Sequence, residues 1–209
     1  MRRGRCVRSL ARADLDRFFL ALAARIPCRV RLILTGGGEA LVLGGSRPTR
    51  DLDFGAVVEE SSRWPEVEQA IAAAAAEAGF PVQYSEDIDR WSAIAIPRKR
   101  FRSRPFRRVG RLSVHLLDPR CWAVYKLARY LDSDAEDLIA VLRTCRVSAM
   151  ALARLCGESL RTSPRSPALF SFRAQVEHFF RDHGRNVWGK RFDPERAVIV
   201  FHQTAAIGK

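Results

Sequence analysis

Lysine is scarce in this chain: of 36 basic residues among 209, only four are lysines and the rest are arginines. Cysteine is sparse too. Cys6, Cys28, Cys121, Cys145 and Cys156 are scattered, odd in number and form no C-x-x-C pair. That excludes a disulfide framework or a zinc cluster and fits a reducing cytoplasm. Of the four histidines, His178 and His183 stand five apart, which puts them on different helix faces, and no H-E-x-x-H occurs. Zinc chemistry is not indicated, and no spacing supports a Ser-His-Asp or Cys-His arrangement. Long apolar runs are missing. The stretch Phe18 to Ala24 is flanked by Arg17 and Arg25 and preceded by Asp14 and Asp16. It is too short for a bilayer and lacks the order of a signal peptide, so it reads as an amphipathic helix and no membrane association is expected.

What is present suits a folded protein. Apolar residues make up 47%, enough for one large core, or a core with a smaller appendage. The net charge is +13. Arginine forks pair with phosphates bidentately, so a polyanionic partner is one reading of that excess. A compositional bias towards Arg and Ala, visible also in Ala72–Ala76, is the other.

Periodicity divides the chain into an α/β half and a helical half. Residues 12–25 read as a helix and Arg29 to Thr35 as a half-buried strand alternating basic and apolar residues. Gly36-Gly37-Gly38 breaks the strand, Glu39 to Leu43 opens a short helix, and a second strand follows at Asp51–Val57. Pro65 and Gly79 bracket an Ala-rich helix. Short strands are expected near Pro81–Tyr84, Ser92–Ile96 and Leu112–Leu117. From Asp118-Pro119, a cap and first-turn pair, the pattern becomes helical to about Leu131. Ser133-x-x-Glu136 has capping-box spacing before the next helix. Helices fit 148–160 and 167–183, the latter closed by Gly184, and a strand is possible at Ala197–His202.

The segment Leu34 to Phe54 carries the chemistry. A Gly-rich turn between a strand and a helix offers backbone N–H groups and a helix N-terminus to a phosphate. The dinucleotide fingerprint G-x-G-x-x-G fails here, because it needs Gly at Leu41. No Gly-Lys-Ser/Thr of a P-loop is present either. Asp51 and Asp53 are two apart, so on a strand they share one face, about 6.6 Å apart at the backbone. Two like charges side by side repel unless a cation joins them. Mg²⁺ takes a few carboxylates and then nucleotide phosphates, while Arg47 and Arg50 supply an alternative as simple ion pairs.

Gly37-Gly38-Glu39-Ala40-Leu41 followed by Arg47-x-Thr49-x-Asp51-Leu52-Asp53 resembles motif I of the nucleotidyltransferase superfamily, in the branch of the AbiEii-like toxins and their uncharacterised relatives. Lys126-Leu127-Ala128-Arg129 resembles that branch's lysine-centred helix motif, and Asp134-x-x-Asp137-Leu138 its acidic motif. Order and spacing agree over roughly residues 30–142. The resemblance implies an α/β (α+β) nucleotidyltransferase-type fold, a mixed sheet with flanking helices in residues 1–118, followed by a helical C-terminal region in 119–209. It implies transfer of a nucleoside monophosphate from an NTP to an acceptor. Asp51 and Asp53 would hold Mg²⁺ or Mn²⁺, and Gly37, Gly38, Arg47 and Thr49 would bind the nucleotide. Lys126 would lie near the triphosphate, with Asp137 orienting that lysine or the acceptor. Read from its residues alone, Lys126 lies off the apolar stripe of its helix and suits a solvated surface lysine equally well. Asp134 suits the first turn of a helix on dipole grounds alone. Many enzymes of this superfamily add a third carboxylate from a later core strand. The strand at 112–117 offers Ser113 and His115 instead, Asp118 reads as a helix cap, and Asp87 and Asp89 fall in a loop.

A second patch, Arg98, Lys99, Arg100, Arg102, Arg104, Arg107, Arg108 and Arg111, carries no acid and is interleaved with Phe101 and Phe106. Basic groups track a phosphate backbone while aromatics stack on bases, so RNA, such as tRNA, is the expected acceptor. The plain alternative is a solvated loop between strands. Three functions therefore stand open. The chain is a nucleotidyltransferase acting on RNA, a catalytically degenerate fold serving as a basic RNA-binding module, or a toxin held by an antitoxin protein.

Overall fold

The computed structural model describes residues 9–45, 47–87 and 92–206, so Cys6 and Asp89 lie outside the described residues. The fold is mixed α/β, a five-stranded mixed sheet with flanking helices and a helical C-terminal region. Two compact units make it up. One gathers residues up to Val42, Arg47–Glu86 and Pro105–Leu116. The other gathers Leu43–Ser46, Asp87–Arg104 and everything from Leu117 onward.

The sheet of the first unit runs in the order β3-β2-β1-β5-β4. Its strands are β1 (Val30–Thr35), β2 (Leu52–Val58), β3 (Val82–Ser85), β4 (Ser103–Val109) and β5 (Leu112–Leu117). β1 lies antiparallel to β2 and parallel to β5, and β2 is parallel to β3. Alternation sorts the side chains onto two faces. Leu32 and Leu34 of β1, Leu52, Phe54 and Ala56 of β2, and Leu112, Val114 and Leu116 of β5 share the buried one. Helices α1 (Arg12–Ala23) and α3 (Trp64–Ala78) bring Phe18, Leu22, Val67 and Ile71 into that core. The Phe18 ring lies 5.9 Å from that of Phe54 and 5.8 Å from that of Phe80. Each such fully buried side chain contributes roughly 1.5–3 kcal/mol from area alone. The opposite face is more open and carries Arg31, Asp53, Val57, Ser113 and His115. Pro65 near the start of α3 and left-handed Gly79 at its end match the expected start and stop.

In the second unit α4 (Pro119–Arg129) is capped by Asp118, whose carboxylate accepts the Arg120 N–H. It is followed by α5 (Asp132–Thr144), α6 (Ala149–Thr162), α7 (Ala168–His178), a π-helical turn at Phe179–His183, α8 (Gly184–Trp188) and α9 (Pro194–Ala205). Trp122, Leu127, Leu138, Leu152, Phe172, Phe179, Phe180 and Phe201 fill its core.

Several expectations are corrected. The strand proposed at Ala197–His202 is part of helix α9. Asp193 accepts the Arg196 N–H, Pro194 starts the helix, and Ala197, Val198, Phe201 and Ala205 form its buried stripe. Packing overrides the β-preference of Val198, Ile199 and Val200. Gly157 of α6 makes room for it: a Cβ there would sit 2.7 Å from the Phe201 carbonyl oxygen. Ser92–Ile96 is not a strand. Ile94 and Ile96 are buried, but the Ile94 N–H donates to Ser92 Oγ and the Ala95 N–H to Ser163 Oγ, so hydroxyls replace a ladder. Gly184 does not close a helix at 183. The chain passes through the π turn into α8, and Gly184 is needed because the Phe192 ring lies against it. Asp134, rather than a Ser133–Glu136 box, caps α5 by accepting the Leu131 N–H at 3.0 Å. The basic run at 98–111 contains a strand, β4, where only strands on either side were expected. Among the described residues no helix is long and apolar enough to cross a membrane.

Candidate functional site

Register builds the site in the first unit. Thr35, the last residue of β1, pairs with Asp53 on β2, and the next residue, Gly36, starts α2 (Gly36–Leu43). The strand partner of the turn is therefore Asp53 itself. Gly36 has φ +62°, and a Cβ on it would lie 2.1 Å from Asp53 Oδ2. Only glycine lets the carboxylate approach the backbone this closely. The start of α2 also presents the positive end of the helix dipole to that carboxylate.

Asp51 reaches the same place through Thr49. The buried Thr49 hydroxyl donates to Asp51 Oδ1 at 3.1 Å, and a Cβ on Gly37 would stand 2.5 Å from that hydroxyl. Thr49 is itself pinned, because its carbonyl accepts the Leu10 N–H at 2.8 Å. A Cβ on Gly38 would meet the Leu52 side chain at 2.5 Å. Asp51, Asp53, Gly37 and Thr49 thus converge, whereas Gly38 backs onto Leu52, which with Phe54 is turned into the core as period two requires. Arg47, half-buried, lies in the same unit. Gln83 of β3 carries no motif that marks it in the sequence. It is paired with Asp53 in register, and its amide donates to Asp51 Oδ2 at 3.4 Å. The alternation of Pro81–Tyr84 was the only signal that pointed to it.

The donor set is hard oxygen, two carboxylates and a hydroxyl, in a cradle that a Cβ on Gly36 or Gly37 would fill. That chemistry fits Mg²⁺ or Mn²⁺, which are held by one or two carboxylates with phosphates completing the shell. No third carboxylate joins them from β5. Ser113 pairs with Arg31 and His115 with Ile33, on the face that also carries Asp53. Burial and the neighbouring Arg31 charge lower the His115 pKa, so a neutral imidazole stands where an acid was sought. No group of three or more His, Cys, Asp or Glu converges as a metal site among the described residues.

Lys126 and Asp137 meet in the second unit, and Asp134 joins them. The Lys126 ammonium is 4% exposed and donates to Asp134 Oδ1 at 2.8 Å and Asp137 Oδ2 at 2.9 Å. It also lies 5.4 Å from the Trp122 ring centroid. Arg129 holds Asp134 with two further hydrogen bonds, at 3.0 and 2.7 Å. Burial alone would raise the Asp134 pKa. The Arg129 and Lys126 hydrogen bonds and the Lys126 charge outweigh it and hold the carboxyl at about 2. The solvated-lysine reading of Lys126 does not hold: it is a buried clamp between α4 and α5.

The basic run is divided between settings. Arg98, Lys99, Arg100, Arg102 and Arg104 belong to the second unit, Arg107, Arg108 and Arg111 to the first. Arg107 is ion-paired with Asp16, and Arg111 donates to the Pro27 carbonyl at 2.7 Å. β4 ends the strand order and is an edge strand. Exposed Arg104, Pro105 and Arg108 are residues that guard such edges against pairing. Compared with known proteins, the chain matches no family model, no curated protein and no solved structure.

Proposed function

We propose that the chain is a metal-dependent nucleotidyltransferase that moves a nucleoside monophosphate from an NTP to an RNA acceptor. The observation that carries this is the seating of Asp53 against Gly36 at the start of α2, with Asp51 tied by Thr49 to the next glycine. Asp51 and Asp53 would hold Mg²⁺ or Mn²⁺, which when bound supplies charge to a triphosphate as phosphoryl charge develops. Gly37 and Gly38 turn N–H groups of the first helical turn towards phosphate oxygens. Thr49 and Gln83 fix the Asp51 carboxylate, so its orientation is set before substrate arrives.

The test is incubation with each labelled NTP, Mg²⁺ or Mn²⁺ and total RNA, followed by inspection of RNA and protein for label. Label on RNA is the expected result. Asp51→Asn with Asp53→Asn should lower transfer by at least about 100-fold while the far-UV circular dichroism is kept, since several kcal/mol of electrostatic stabilisation go with the ligands. Full activity in the double variant would remove the assignment.

A second reading is favoured by Ser113 and His115 on the Asp53 face. In it the fold has lost catalysis and serves as a basic RNA-binding module. NTP binding that is absent with and without Mg²⁺, alongside retained RNA binding, would establish it.

A further inference from the structure

We propose that the second unit carries a phosphoryl-binding pocket of its own, for the phosphate of a nucleotide or of a single-stranded RNA. A cavity of about 270 Å³ is rimmed by Lys99, Arg100, Arg102, Arg120 and Arg154, with Glu158 as its one carboxylate. Cys121, Ala151 and Leu155 form an apolar floor. Three separate elements converge on it: the 99–102 segment, the start of α4 and one face of α6. Glu158 and Asp118 offset two of the five cations, Arg100 and Arg120; the positive excess that is left repels itself, and an anion between the cations relieves that repulsion.

Two of the cations are held ready. Arg100 grips Glu158 through Nε at 2.7 Å and Nη2 at 2.6 Å. Arg120 grips Asp118 through Nε at 2.9 Å and Nη2 at 2.8 Å. Each fork fixes the guanidinium plane and leaves Nη1 to donate elsewhere. Lys99 and Arg154 are exposed and make no salt bridge with a carboxylate among the described residues, and the Arg102 guanidinium donates to the Phe101 carbonyl at 2.8 Å. Glu158 is held ionised, its pKa lowered first by the Arg100 hydrogen bond and further by the Lys99 and Arg161 charges. Even with Glu158 ionised, the five cations of the lining outnumber it, so the pocket is positive at neutral pH. Its volume lies just below the usual range for small-molecule sites, about 300–1,000 Å³, room for one phosphate and part of the group esterified to it, which the apolar floor would meet.

The proposal does not depend on Asp51 and Asp53 being catalytic, and the test is run in EDTA to keep the two apart. Anisotropy of a fluorescein-labelled, 5′-phosphorylated single-stranded RNA is measured against salt for the intact chain and for Lys99→Ala with Arg154→Ala. The control is Arg165→Ala with Arg185→Ala, an equal loss of exposed charge in the same unit. The pocket pair should bind about tenfold or more weaker and lose roughly 1.4 of the salt slope, since each phosphate contact contributes about 0.7 for single strands. The control should change affinity less than twofold. Competition then names the source of the phosphate. Displacement by ATP but not by unphosphorylated RNA identifies a nucleotide, and the reverse identifies a strand. Equal losses in both pairs, or none in either, would overturn the pocket.

Discussion

At the scale of single residues, Gly36 and Gly37 separate backbone strain from site geometry. Gly36→Ala forces an L residue to φ +62° and drives its Cβ into Asp53. About 1–2 kcal/mol of strain follows from the left-handed backbone alone, and the displaced carboxylate should abolish metal-dependent NTP binding. Gly37→Ala has no such backbone penalty, because Gly37 is helical with negative φ. Its Cβ meets Thr49 and loosens the hold on Asp51. Urea denaturation and NTP titration on both variants should show a stability loss larger for Gly36→Ala, and a binding loss in each. Undiminished NTP binding by Gly37→Ala would mean that Thr49 does not position Asp51. These residues were legible in the sequence, because an Asp pair at period two after a Gly-rich turn admits few arrangements. Gln83 was not, because its partner is set by the pairing of β2 with β3 rather than by anything near it in the chain.

Elements declared themselves where caps and periodicity agreed. Asp118-Pro119 and the Pro65–Gly79 bracket locate α4 and α3, while at α9 the strand preference of Val-Ile-Val masks the Asp193-Pro194 start signal. β4 was hidden by its own composition, since arginines and a proline suit an edge strand yet look like a loop. The α4–α5 pair was half visible: Lys126 and Asp137 stood out, but their burial beside Asp134 follows only from how the two helices meet. Removing one partner of such a cluster leaves uncompensated buried charge, typically costing about 3–5 kcal/mol. Lys126→Met should therefore destabilise the chain by about that much in urea, where an exposed lysine would cost almost nothing. The pH dependence has a definite sign. Asp134 has a folded pKa of about 2, below its ordinary value. Its contribution, about 2 kcal/mol, is present above pH of about 4 and is lost as pH falls towards 2. Melting temperatures followed down that range should fall in the intact chain, and Asp134→Asn should start lower and lack this component. A parallel fall in both would assign acid sensitivity to other carboxylates.

For the whole molecule, a net charge of +13 does not have one destination. Some arginines are spent internally, such as Arg129 on Asp134, Arg107 on Asp16 and Arg181 on Glu195 and Glu177. Others converge on the pocket of the second unit. Those on β4 lie along an unpaired strand edge, where charge and proline oppose strand addition. The edge and RNA readings of β4 differ in what its variants do. Replacing Arg104, Pro105 and Arg108 together by Val removes two exposed charges and restores a ladder donor at position 105. The edge reading expects light scattering at physiological salt to rise with protein concentration, while the scatter of the intact chain stays flat. RNA affinity should then fall by no more than the few-fold that two lost charges give through the general field. An RNA-contact role for this strand expects the converse: a large loss of affinity, a flatter salt slope and no self-association. We expect the first outcome, because Arg107 is already committed to Asp16 and the alternate positions of β4 carry their charge towards solvent along the strand.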